Sequence, residues 1–189
     1  MDKKFTIILS TLGVLLAAFI INITIQKGYK SNDRQLILID RNDINKIIIS
    51  AKEDAIELSI ADSIWTITGN DTLNIKENVI DNFFENFFDI KKKHLVTSKE
   101  NNWNNYGVSP EEGTHLALIN QEGQTIAYFV FGNSQVPGEY NICYVRSNQT
   151  PEVYLLDSNI MYQLQTNPTY WGEKPVSNEV KENTPTIIE

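Results

Sequence analysis

The chain has 189 residues, 41% of them hydrophobic and 21% charged, with a net charge of -8. That length accommodates one domain with appendages, and the apolar fraction is too high for a chain that is disordered throughout. The acidic balance argues against a nucleic-acid partner, which needs a basic face to displace counterions.

The amino terminus is the first element with a clear reading. Residues 1–4 form a short tail, Met-Asp-Lys-Lys, and Phe5–Ile25 follows without a single charge. As a helix rising 1.5 Å per residue, such a run spans about 30 Å, the thickness of a bilayer's hydrocarbon core. Its end, Ile-Ile-Asn-Ile-Thr-Ile, lacks the small residues of a signal cleavage site, and no lipidated cysteine follows. We read an uncleaved, single-pass transmembrane anchor. Lys3 and Lys4 precede it, while Lys27, Lys30 and Arg34 follow, so the positive-inside count is nearly balanced. The short tail before a long polar domain favours a soluble part outside the cytoplasm.

Residues 26–34 read as a juxtamembrane linker, 35–175 as the folded domain and 176–189 as a disordered tail rich in Asn, Glu, Lys, Pro and Thr. Strands are expected at Gln35–Ile39, Ile44–Ser50, Ala55–Ile60 and Ser63–Thr68, the last two alternating in polarity and joined at Ala61-Asp62. Gly69-Asn70-Asp71 breaks this run. Asn74 and Glu77 then make a capping box for a helix whose Val79, Ile80, Phe83, Phe84, Phe87 and Phe88 share one face. Such a stripe is expected to pack on a sheet. Lys91 to His94 read as the solvated, dipole-compensating end of that helix.

Next comes N-N-W-N-N-Y-G-V-S-P-E, Asn101–Glu111. Gly107 tolerates a positive φ and Pro110 fixes its own, so the segment reads as a rigid corner with Tyr106 packed into the core beside the helix. Further strands are expected at Leu116–Ile119, Ile126–Phe131, Tyr140–Arg146 and Glu152–Leu156, with a short helix at Ser158–Leu164. The fold class is therefore α+β: antiparallel strands around one main amphipathic helix, in outline four strands, the helix and four strands. Whether the strands form one sheet or two is not fixed by periodicity.

Chemical motifs are sparse. G-x-S-x-G, the P-loop, the dinucleotide fingerprint, H-E-x-x-H and paired C-x-x-C are all missing. The two histidines, His94 and His115, are far apart, and the one cysteine, Cys143, sits where a strand would bury it as an inert small hydrophobe. No catalytic, cofactor or metal residues are assigned, and no enzymatic activity is expected. The sequons at Asn22, Asn70 and Asn148 are expected by chance in a chain this rich in Asn.

The order of pieces resembles the family called domain of unknown function 4340. L-I-L-I-D, I-N-K-I-I-I-S, A-I-E-L-S-I and S-I-W-T-I-T look like its opening, and Tyr106 to Pro110 looks like its Y-G-L-x-x-P signature. T-H-L-A-L-I-N, Y-F-V-F-G-N, Y-V-R and E-V-Y-L-L look like later strands, and Tyr170 to Lys174 is similar to its closing W-R-D-K element. The resemblance spans Leu36 to Pro175. It implies an amino-terminal membrane helix and association with components resembling auxiliary subunits of ABC transporters of the gliding-motility type. This chain has one copy of a unit that longer members repeat, and the family supplies no catalytic residues.

The function expected is a non-enzymatic, membrane-anchored protein-interaction module of the cell envelope, such as a transporter accessory. Its partner would be a membrane protein, met by a sheet edge or by loops. Trp103 and Tyr106 in the corner, and Asn133 and Pro137 in the turn Gly132–Glu139, are the interaction candidates. The alternative is a small-molecule, lipid or glycan-binding domain at the membrane surface, with the Phe stripe or Trp103 lining a pocket.

Overall fold

The computed structural model describes residues 34–134, 136, 138–139 and 141–175, together with Leu16 and Phe19. The expected anchor, apart from those two residues, and the expected tail from 176 lie outside this set, as does Pro137. Among the described residues no helix is long and apolar enough to cross a membrane.

The strands are β1 (Lys46–Ala51), β2 (Asp54–Ala61), β3 (Ile64–Ile67), β4 (Asn74–Ile75), β5 (Lys92–Thr97), β6 (Thr114–Ile119), β7 (Thr125–Asn133), β8 (Cys143–Ser147), β9 (Val153–Leu156) and β10 (Gly172–Glu173). The helices are α1 (Glu77–Asp89) and the one-turn α2 (Pro168–Trp171), with 3₁₀ turns at Arg41–Asp43 and Glu100–Tyr106. Eight strands form one sheet in the order β3-β2-β1-β6-β7-β8-β9-β5, and β10 pairs with β4. Every pairing is antiparallel. The two expected strand groups thus meet along β1 and β6, with Ile49 opposite Leu116.

The chain leaves β3 at one edge of the sheet, crosses one face as α1, and enters β5 at the other edge. Ile80, Phe83, Phe84 and Phe87 on α1 recur at helical spacing and are buried. They pack over Ile47, Ile49, Leu58, Leu116, Leu118 and Phe131, all fully buried. Each fully buried Phe contributes on the order of 2 kcal/mol. Trp171 from α2 fills the same core, its ring edge-on to Phe83 at 5.6 Å between centroids. The opposite sheet face carries a second, smaller cluster of Val108, Val130 and Val153, with Trp103, Tyr106, Tyr128 and Tyr144 packed on it.

Several expectations change. Gln35–Ile39 is not a strand. It makes one bridge, Gln35 to Lys91, while Leu36 N–H donates to the Ile90 carbonyl (3.3 Å) and Ile37 drops into the core. Asn74 is not the helix cap, because it pairs with Glu173 in the small sheet. The N-cap is Lys76, with no side-chain capping bond. That helix end is tied instead by Lys76 N–H to the Trp171 carbonyl (2.8 Å) and by Lys76 Nζ to the Thr169 carbonyl (2.8 Å).

Lys91 to His94 do not extend the helix either. Ile90 turns extended, and Lys92–Thr97 become the edge strand β5, where lysines keep a bulged strand solvated. Among the described residues four strands precede the helix, as outlined, but six follow it where four were expected. The turn between β2 and β3 is Asp62-Ser63, with φ of 51° and 67°, not Ala61-Asp62. Ser158–Leu164 forms turns, and the helix starts later, where Asn167 Oδ1 accepts from Thr169 N–H (3.0 Å) and Pro168 takes the first position.

Candidate functional site

The corner holds two of the four expected contact residues, Trp103 and Tyr106. Glu100–Tyr106 winds into a 3₁₀ turn that ends at Gly107, whose φ of 63° is left-handed. The segment then lies on the sheet face opposite α1, so Tyr106 does not pack beside the helix as expected. Its ring meets Tyr144 edge-on at 4.9 Å. The indole N–H of Trp103 donates to the Pro151 carbonyl (3.1 Å).

Arg146, 4% exposed, stacks its guanidinium 4.0 Å from the Trp103 ring centre and donates Nε–H to the Val108 carbonyl (2.7 Å). Burial pulls its pKa below the usual arginine value. His115 adds a further tie, with Nε2 2.9 Å from the Pro110 carbonyl and Nδ1 2.8 Å from the Tyr128 hydroxyl. A carbonyl only accepts, so Nε2 carries a proton, and in the neutral ring Nδ1 accepts from the Tyr128 hydroxyl. Trp103 and Tyr106 are both half-buried, and these bonds commit them to holding the corner on the sheet.

Asn133 ends β7 exposed, where its Oδ1 accepts from Asn159 Nδ2 (3.2 Å). Cys143 is fully buried, and burial pushes its thiol up to about 12. Iodoacetamide at about pH 8 is therefore expected to leave it unmodified in the folded protein and to alkylate it readily in concentrated urea, as read by intact mass. Among the described residues no cluster of His, Cys, Asp and Glu is suited to a metal ion.

What the sequence reading passed over is the contrast between the two sheet edges. β5 is blunted by Lys92, Lys93 and two register shifts. The other edge, β3, is Ile-Trp-Thr-Ile, uncharged, with Ile64 65% exposed. Thr68 N–H donates to the Glu57 carbonyl (2.9 Å), which sets the hydrogen-bonding parity of the β2–β3 ladder. Thr66 and Ile64 therefore bond inward to β2, and the main chain of Trp65 and the N–H of Ile67 point outward. The Ile67 carbonyl is taken by Asn70 N–H (3.1 Å).

Beside this edge lies an open groove of ≈ 620 Å³ between β3 and the first turns of α1, floored by Trp65 and Ile80. Among the described residues its rim carries Asp62, Glu77 and Asp81 against one cation, Arg41. Arg41 is already engaged, 2.6 Å from Asp81 and 4.4 Å from the centre of the Phe84 ring. A second cleft of ≈ 840 Å³ runs between Leu36–Ile39 and the sheet, with Tyr154 under Lys92. Neither cleft is lined by a Phe of the α1 stripe.

The family model described as "Domain of unknown function (DUF4340)" matches residues 65–184 of the chain, well over half of it. The match begins at Trp65 in β3, whereas the resemblance read from the sequence starts at Leu36. No curated protein and no solved structure matches the chain.

Proposed function

The chain belongs to the DUF4340 family, and from that membership we propose a non-enzymatic interaction module, anchored in a membrane by Phe5–Ile25 with its domain outside the cytoplasm. In this role it is an accessory that meets a membrane-protein partner, such as a subunit of a transporter or another envelope complex. The observation that supports the reading is the uncharged edge strand β3, which pairs only with β2 among the described residues and borders a groove. Natural sheets blunt an edge that has no partner, as this one blunts β5.

The test is photo-crosslinking of the full chain in native membranes, with a photoreactive residue placed in turn at Ile64, Leu95 and Tyr162, all exposed. Discrete adducts with a membrane protein from at least one position are expected. Recovery of the chain without adducts from all three overturns the proposal.

A further inference from the structure

We propose that the β3 edge takes up an extended peptide segment of the partner by strand addition, and that this segment carries a lysine or arginine. The inference rests on the interaction reading above and names the chemistry of the partner. An added strand lies about 4.8 Å from β3 and bonds to the outward groups of an edge. Here those groups are the N–H and carbonyl of Trp65 and the N–H of Ile67. The side chains of the added segment then alternate. One faces the groove floored by Trp65 and Ile80, and the next lies over exposed Ile64.

Charge decides what kind of peptide fits. The rim holds Asp62, Glu77 and Asp81, and its only cation among the described residues, Arg41, is paired with Asp81 and stacked on Phe84. Among the described residues Asp62 and Glu77 have no ion-pair partner, and a basic side chain entering the groove supplies one. The same charges disfavour a second copy of this chain, whose net charge is -8 and whose own β3 contributes no cation. Like charges brought together across an interface select against that pairing.

The two acidic residues can be neutralised without breaking the local fold. Asp62 sits at φ 51° in the hairpin turn, where Asn is equally at home, so Asp62→Asn keeps the turn. Glu77→Gln keeps the first turn of α1. The experiment is the cross-linking from Ile64 in full-length chain, with the adduct mapped by mass spectrometry and repeated in the Asp62→Asn/Glu77→Gln variant. The expected result is an Ile64 adduct on a segment bearing Lys or Arg within a few residues, reduced roughly fivefold or more in the double variant and by added salt.

An Ile64 adduct that the double variant leaves unchanged, or one that maps to an acidic segment or to this chain itself, overturns the inference. Adducts from Leu95 or Tyr162 without one from Ile64 also overturn it while leaving the interaction reading standing. No adduct from any position removes both.

Discussion

Trp171→Ala is expected to cost the domain about 3–5 kcal/mol, the range for removing a large aromatic from a closed core. The side chain is fully buried and makes edge-on contacts with Phe83 and Tyr170 at centroid distances of 5.6 and 5.1 Å. Its indole N–H also donates to the Gln165 carbonyl (2.7 Å), so truncation leaves that acceptor without a donor as well as opening a cavity. Trp171→Phe shifts the balance between the two contributions, because it keeps much of the apolar volume while removing the donor. That variant should lose about 1–3 kcal/mol. Urea denaturation followed by circular dichroism checks both. A midpoint for Trp171→Ala within error of the parent would show that the carboxyl-terminal segment does not seal the core.

Gly132→Ala should be of similar severity for a different reason. A Cβ there would stand 2.5 Å from the Gly107 carbonyl carbon and closer still to the carbonyl oxygens of Tyr106 and Gly107. These are backbone atoms and have no rotamer through which to withdraw. Overpacking usually costs about 1–3 kcal/mol, and a clash with main chain lies at or above the top of that range. The added methyl must lift the corner from the sheet. Besides the loss of stability, the near-ultraviolet signal of Trp103 and Tyr106 should change. Gly123→Ala is the control. A Cβ there meets nothing within 4 Å, although φ is +78°, so only the cost of a strained turn, on the order of 1 kcal/mol, is expected. Equal losses at the two glycines would remove the close-approach argument.

Much of this architecture could be read from periodicity. The alternation in A-I-E-L-S-I and T-H-L-A-L-I, and the spacing of the α1 phenylalanines, report burial on one face, and local pattern encodes that directly. The misread elements are those whose conformation is set by distant partners. Lys92–Thr97 has a basic start that suits a helix end, yet β9 recruits it into the sheet. Asn74 offers a capping side chain, but its backbone is claimed by Glu173. Gln35–Ile39 has strand composition, but its pairing beside the start of β5 stops at the single bridge from Gln35 to Lys91.

For the candidate site, the left-handed Gly107 was expected from its residue type, and the structural role of the corner with it. That Tyr106 packs on the far face of the sheet was not readable, because the choice of face depends on where β7 and β8 lie. The open edge is a property of strand order, which no window of sequence contains. Asp62-Ser63 followed by the uncharged Ile-Trp-Thr-Ile was the only local hint of it.

The fastening of α1 at both ends constrains how the protein is made. Its first turn is bonded to Thr169 and Trp171, the former 93 positions downstream, while Ile90 and Lys92 are held by the residues from Arg34 to Leu36. A nascent chain therefore has the amino-terminal fastening in hand as soon as α1 emerges, but not the carboxyl-terminal one. At synthesis rates of roughly 5–20 residues per second, the interval before Trp171 arrives is on the order of 5–20 s. For that time Phe83, Phe84 and Phe87 have no finished core to enter. Their safety from aggregation during biogenesis is then a matter of elongation rate and holdase chaperones, independent of how stable the completed domain is.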